Sequence, residues 1–186
     1  MTSLWIFLGV FAIVIIWAIV KRNSFVKFRN KRENAFADID VQLQQRYDLV
    51  PQLVATVKGY ASHEKDTLER IVNARNGAIN AQSINEKIVA DNALSSALAG
   101  LKITVERYPD LKASTNFMQL QGEISDIENK LAAVRRFFNS ATKEYNTAIE
   151  MFPANIIAGM YGFQREMMYD LGAERKVMQQ APQISF

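Results

Sequence analysis

His63 is the one histidine of the chain, and it stands beside Glu64 with Tyr60 and Thr67 within a helical turn. A histidine near a carboxylate and hydroxyls could supply a general base and a nucleophile. That chemistry needs the base within hydrogen-bond reach of the nucleophile and a third group orienting the base. Adjacent residues on a helix point in different directions, and neither Tyr60 nor Thr67 completes such a pair, so His63 reads as solvated or capping. Asp38, Asp40 and Asp48 share no helical face with a histidine, and the Glu-x-x-His motif of di-iron bundles is absent. No GxxxxGK[ST] or GxGxxG loop offers a cradle for phosphates. With no cysteine, disulfides, thiolate metal sites and thiol lipidation are excluded. Arg135 and Arg136, with Glu128 and Lys130, read as a helix's charged flank. No catalytic, cofactor-binding or metal-ligating residue is assigned, and the chain is read as a non-enzyme without cofactor.

The charges that remain point elsewhere. The chain of 186 residues carries 22 Lys+Arg and 19 Asp+Glu. Lys21, Arg22, Lys27, Arg29, Lys31 and Arg32 all fall before residue 33, where there is no acid. The rest therefore has 16 basic residues against all 19 acids and is mildly acidic. A nucleic-acid partner is not expected, since it calls for positive charge across a folded face.

The basic cluster follows Leu4–Val20, 17 residues with no charge. As a helix this run is about 25 Å long, the lower limit for a bilayer core. Leu4, Trp5, Ile6, Phe11, Ile15, Trp17 and Val20 are the expected anchor, with the tryptophans at its two interfaces. A cleaved signal peptide would carry its basic residues before the apolar run and small residues after it, so a retained anchor is expected. The one-sided cluster predicts an outer N-terminus and a cytoplasmic body. The same six residues either only set topology or also bind anionic headgroups.

Beyond the anchor a single period recurs. Phe117, Leu120, Ile124, Ile127, Leu131, Val134, Phe138, Ala141, Tyr145, Ala148 and Phe152 alternate steps of three and four, predicting a helix of about 54 Å that Pro153 ends. Phe25, Phe28, Phe36, Ile39, Leu43, Tyr47 and Val50 form a similar stripe, so anchor and stripe are predicted as one helix from about residue 3 to 47. A second helix is predicted from Pro51, N-capped by Asp48. A third runs from about Asn85 to Tyr108 and stops at Pro109. Short connections between long amphipathic helices predict an all-α fold: a single transmembrane helix continuing into an elongated antiparallel bundle. The segments are 1–22 (anchor), 23–153 (bundle) and 154–186 (apolar C-terminal segment and tail). Within the last, Ile156, Ile157, Met160, Tyr161 and Phe163 are candidates for contact with a second copy. Packing on their own bundle and insertion at a membrane interface are the other two readings.

Four blocks resemble the LemA family: QLQQRYDLVPQLVATVKGYASHE (Gln42 to Glu64), ERYPDLKASTNF (Glu106 to Phe117), RRFFNSATKEYN (Arg135 to Asn146) and FPANIIAGMYGF (Phe152 to Phe163). The resemblance runs in order over essentially the whole chain. The departures are Gln45, where a second arginine is usual, and Phe138, where tyrosine is commoner. It implies a membrane-anchored helical protein, similar also to related magnetosome proteins, and it carries no catalytic residues. Arg46, Asp48, Pro51, Glu106, Tyr108, Pro109, Phe152 and Pro153 are the motif residues expected at corners, with Arg46 as a charge partner of Asp48. Two functions are expected. One is a scaffold in the bacterial cytoplasmic membrane that self-associates and organises lipid or partner membrane proteins. The other is a monomeric tethered adaptor or signalling accessory that presents a helical surface to an enzyme or transporter. Absence of catalytic groups, the anchor and the long apolar stripe support the first.

Overall fold

The computed structural model describes residues 2–169, apart from the side chain of Ile103. The tail beyond, with Pro182 and Phe186, lies outside the described residues. Among those described there is no strand. Six helices follow in order: α1 Thr2–Tyr60, α2 Lys65–Asn80, α3 Ile84–Val105, α4 Pro109–Lys112, α5 Thr115–Glu150 and α6 Ala154–Met160. They group into two units, one built from residues 1–36 and 135–186, the other from residues 37–134.

The predicted helix boundary at Pro51 is not found. α1 passes through Pro51 and ends only at Tyr60. A proline inside a helix removes the N–H that would bond the carbonyl four residues back and crowds that same carbonyl. Here the carbonyl is that of Tyr47, and the Arg75 guanidinium on α2 donates to it through Nε at 2.7 Å. The acceptor stranded by proline is thus satisfied from a neighbouring helix, and the ring itself faces outward. Asp48 caps nothing: it lies within α1, accepting from Gln44 Nε2 at 3.0 Å. The chain turns instead at Ala61–Glu64, where Ala61 N–H donates to Val57 and Glu64 N–H to Ala61.

The unit of residues 37–134 buries the stripe Ile39, Leu43, Val50, Leu53 and Val57 of α1. With it lie Leu68 and Ile71 of α2, Ile88, Leu94 and Leu101 of α3, and Phe117, Ile124, Ile127 and Leu131 of α5. α3 begins with a capping box: Ser83 Oγ accepts from Glu86 N–H at 3.1 Å, and the Glu86 carboxylate accepts from Ser83 and Gln82 N–H. These backbone donors hold the Glu86 carboxyl below its ordinary range. The polar run Gln82–Asn85 carries this cap.

The unit of residues 1–36 and 135–186 has its own core of Phe25, Tyr145, Ile149, Ala154, Ile157 and Ala158, flanked by Trp17, Ala18, Phe28, Ala148 and Phe163. α6 therefore folds back onto α1 and α5. It ends in a Schellman turn: Phe163 N–H reaches Ala158, Gly162 N–H reaches Gly159, and Gly162 takes φ +70°, open to glycine at no steric cost. The α5 stripe is buried to Ile149 rather than to Phe152, which lies past the helix end and is 80% exposed.

After Gly162 the chain runs extended, antiparallel to α5, as a strap over residues 163–169. Asn146 Nδ2 donates to Glu166 O and Asn146 Oδ1 accepts from Glu166 N–H, both at 2.9 Å. Asn139 does the same for Tyr169, at 3.0 and 2.8 Å. Seven helical residues rise about 10.5 Å, and three extended residues span about 10 Å. Two asparagines two turns apart therefore meet two strap residues three apart in register. Tyr145 OH adds a bond to Gln164 O at 3.0 Å.

Candidate functional site

Three polar constellations stand out among the described residues. The first is buried. Arg46, 1% exposed, donates through Nη1 to Asp91 Oδ1 and Ser95 Oγ, both at 2.9 Å, and through Nη2 to Glu128 Oε1 at 2.8 Å. Asp91 is fully buried and Glu128 half-exposed. The cluster acts as a charged brace across α1, α3 and α5. The expected Arg46–Asp48 pair does not form. The clue in the sequence was positional: Arg46 falls in the apolar stripe between Leu43 and Val50, and Asp91 between Ile88 and Leu94. A charge on an apolar face demands a buried partner.

The second constellation joins two turns. Glu64 Oε1 accepts from Arg107 Nη2 and from Tyr108 OH, both at 2.9 Å. That hydrogen bond to a carboxylate raises the Tyr108 hydroxyl above its ordinary value. Glu106 is the C-cap of α3, and Tyr108 and Pro109 open the one-turn α4. His63 is exposed on the other turn, with Glu64 turned toward Arg107 and Tyr108. No group of three His, Asp or Glu side chains converges as a metal site among the described residues.

The third is the basic segment after the span, and its members differ. Arg32 is buried, pairs with Glu166 Oε2 at 3.2 Å and lies over the Phe138 ring at 4.9 Å. Burial pulls its guanidinium below the ordinary value, against the opposing charge of Glu166. In this Arg32 differs from Arg22, Lys27, Arg29 and Lys31, which are exposed. Lys31 pairs with Glu144 at 2.6 Å, and Arg29 sits over the Phe163 ring and near Glu33. Arg22 stacks on Tyr161 at 5.1 Å. Lys21 lines a groove of about 760 Å³ with Trp17, Phe28, Lys143, Met151 and Phe152.

The anchor residues Leu4, Trp5, Ile6, Phe11, Ile15 and Val20 are all exposed on α1, and Trp17 is half-buried against the core around Phe25. This is the one stretch among the described residues long and apolar enough to cross a membrane. Of the five residues expected to meet a second copy, Ile157 and Phe163 are used inside their own core. Ile156, Met160 and Tyr161 are exposed.

Against known proteins, the family model described as the LemA family matches residues 35–186. The protein LemA of Metamycoplasma hominis is 27% identical over 139 residues, covering 74% of this chain and 64% of that protein. The magnetosome protein MamQ of Magnetospirillum gryphiswaldense is 24% identical over 173 residues, covering 79% and 64%. The magnetosome protein MamQ 2 of Paramagnetospirillum magneticum is 23% identical with the same coverage. The chain thus spans a little under two thirds of the length of the curated relatives it matches. It is a helical, membrane-associated protein with one candidate transmembrane helix.

Proposed function

This chain belongs to the LemA family, and from that premise we propose that it is a non-enzymatic scaffold, anchored once in the bacterial cytoplasmic membrane, that self-associates. Its N-terminus is outside and its helical body cytoplasmic. The observation that carries the reading is α1 itself: the exposed apolar span continues without a break into a helix whose next turns bury Phe25 in a packed core. An anchor and a folded body joined by a continuous helix hold copies in one orientation in one membrane, which raises their effective concentration, so weak lateral contacts suffice. Phe137, apolar and 54% exposed on α5, is a candidate contact between copies. The alternative, a monomeric adaptor, draws on a groove of about 770 Å³ in the unit of residues 37–134, lined by Leu53, Leu98, Leu101, Phe117 and Met118.

The test is the mass of the detergent-extracted full chain after cross-linking in native membranes. A closed multiple of the chain mass supports the scaffold. A monomer at micromolar concentration overturns it in favour of the adaptor.

A further inference from the structure

We infer that the segment from Met151 to Tyr161 is a second membrane contact: a knuckle seated in the headgroup and upper acyl region of the leaflet that α1 leaves. The inference rests on the membrane anchoring proposed for α1.

Three observations lead to it. The first is level. The buried face of α6 (Ala154, Ile157, Ala158) shares a core with Phe25, and Trp17 and Ala18 pack against that core. Trp17 to Phe25 covers about 12 Å of helix rise, and Val20, the last residue of the apolar run, lies inside that interval. α6 is therefore held beside the end of the span. The second is composition. On its outer side the knuckle exposes Phe152 (80%), Met160 (75%), Met151, Ile156 and Tyr161. The third is charge. Arg22 caps the Tyr161 ring, while Lys21 and Lys143 line the groove that Phe152 and Met151 also border. Apolar side chains below a collar of basic ones are the pattern of a surface lying in an anionic leaflet, its apolar face about 5–10 Å deep. Tyr161 at this level suits the same zone, where one end of a side chain is wet and the other apolar.

A second contact fixes what one helix leaves free. A lone span can rotate about its axis and tilt, whereas a span with an interfacial knuckle clamped to it presents one defined face to the leaflet.

The cysteine-free chain allows a direct test. Single variants Ile156→Cys and Met160→Cys, with Val89→Cys on α3 and Phe11→Cys in the span as references, are spin-labelled in the full chain. They are reconstituted into phosphatidylethanolamine–phosphatidylglycerol vesicles. Accessibility to oxygen relative to a water-soluble nickel chelate is then read for each. The expected result is a ratio at 156 and 160 several-fold above that at 89 and approaching that at 11. Ratios at 156 and 160 equal to that at 89, with 11 in lipid, overturn the knuckle and leave the anchor standing. Labels at 156 and 160 closed to both reagents and broadened by one another show a contact between copies, which also overturns it. A wet label at 11 overturns the anchor, and this inference with it.

Discussion

Arg46 lies where a side chain of its kind is most expensive to strand. Its two nitrogens hold Asp91 and Glu128 at 2.9 and 2.8 Å, and Asp91 has no exposed surface. Arg46→Met should lower unfolding stability by about 3–5 kcal/mol, the usual cost of removing one member of a buried pair. Adding Asp91→Leu should recover much of it, because two apolar side chains no longer need a charge partner. Urea unfolding of both variants checks this, and a double variant no better than the single one would contradict it. Arg75 provides a second case. Arg75→Ala should cost about 1–2 kcal/mol by uncovering the Tyr47 carbonyl. In a Pro51→Ala background, which restores the helical N–H donor, that cost should shrink by about 0.5–1 kcal/mol; strictly additive costs would mean that Arg75 does not answer the proline. Neither arrangement was legible from the chain alone. A stripe position shows that a charge is buried but not which distant carboxylate meets it, and proline's default reading is a boundary unless a donor from elsewhere intervenes.

At the scale of elements, the three-four periodicity translated well into structure. The stripe expected from Phe117 to Phe152 became α5 as far as Glu150, with Leu131 and Phe138 fully buried, and the Phe25–Val50 stripe became the packed face of α1. What periodicity could not express is the strap, because an extended segment held on one side by asparagine amides has no repeat of its own. In the sequence Asn139 and Asn146 are polar positions next to stripe residues Phe138 and Tyr145. Their function is to imitate a neighbouring strand, each offering one donor and one acceptor to a strap backbone. The double variant Asn139→Ala/Asn146→Ala removes four such bonds. It should leave far-UV helicity unchanged while speeding tryptic cleavage after Arg165 by tenfold or more, corresponding to about 1.4 kcal/mol of lost protection. Peptide mapping by mass spectrometry reads it, and an unchanged rate at Arg165 would mean the strap is held by its side chains instead.

For the whole molecule, the polarity of the chain across a membrane is the property with the widest reach. The proposed topology rests on six basic residues after the span and none before it. Protease added outside intact spheroplasts should leave the body from residue 21 onward undigested and should degrade it once the membrane is opened; digestion in intact spheroplasts would reverse the orientation. The buried Arg32 does not weaken this expectation, since orientation is set during insertion, before its partner Glu166 exists. Membership of a family and an all-α architecture were readable from four blocks and one period. The grouping into two units was not, because linear segments cannot reveal that the first and last parts of a chain share a core.

That grouping has a temporal consequence. Residues 37–134 are contiguous, so everything that unit needs is available once residue 134 has left the ribosome. The unit that sits on the span is split: Phe25 emerges early and waits for Tyr145, Ile157 and the strap, more than a hundred residues later. Translation therefore delivers the apolar span first, the contiguous unit second and the core of the split unit last. The core that holds Phe25 is completed only after the contiguous unit has already been made.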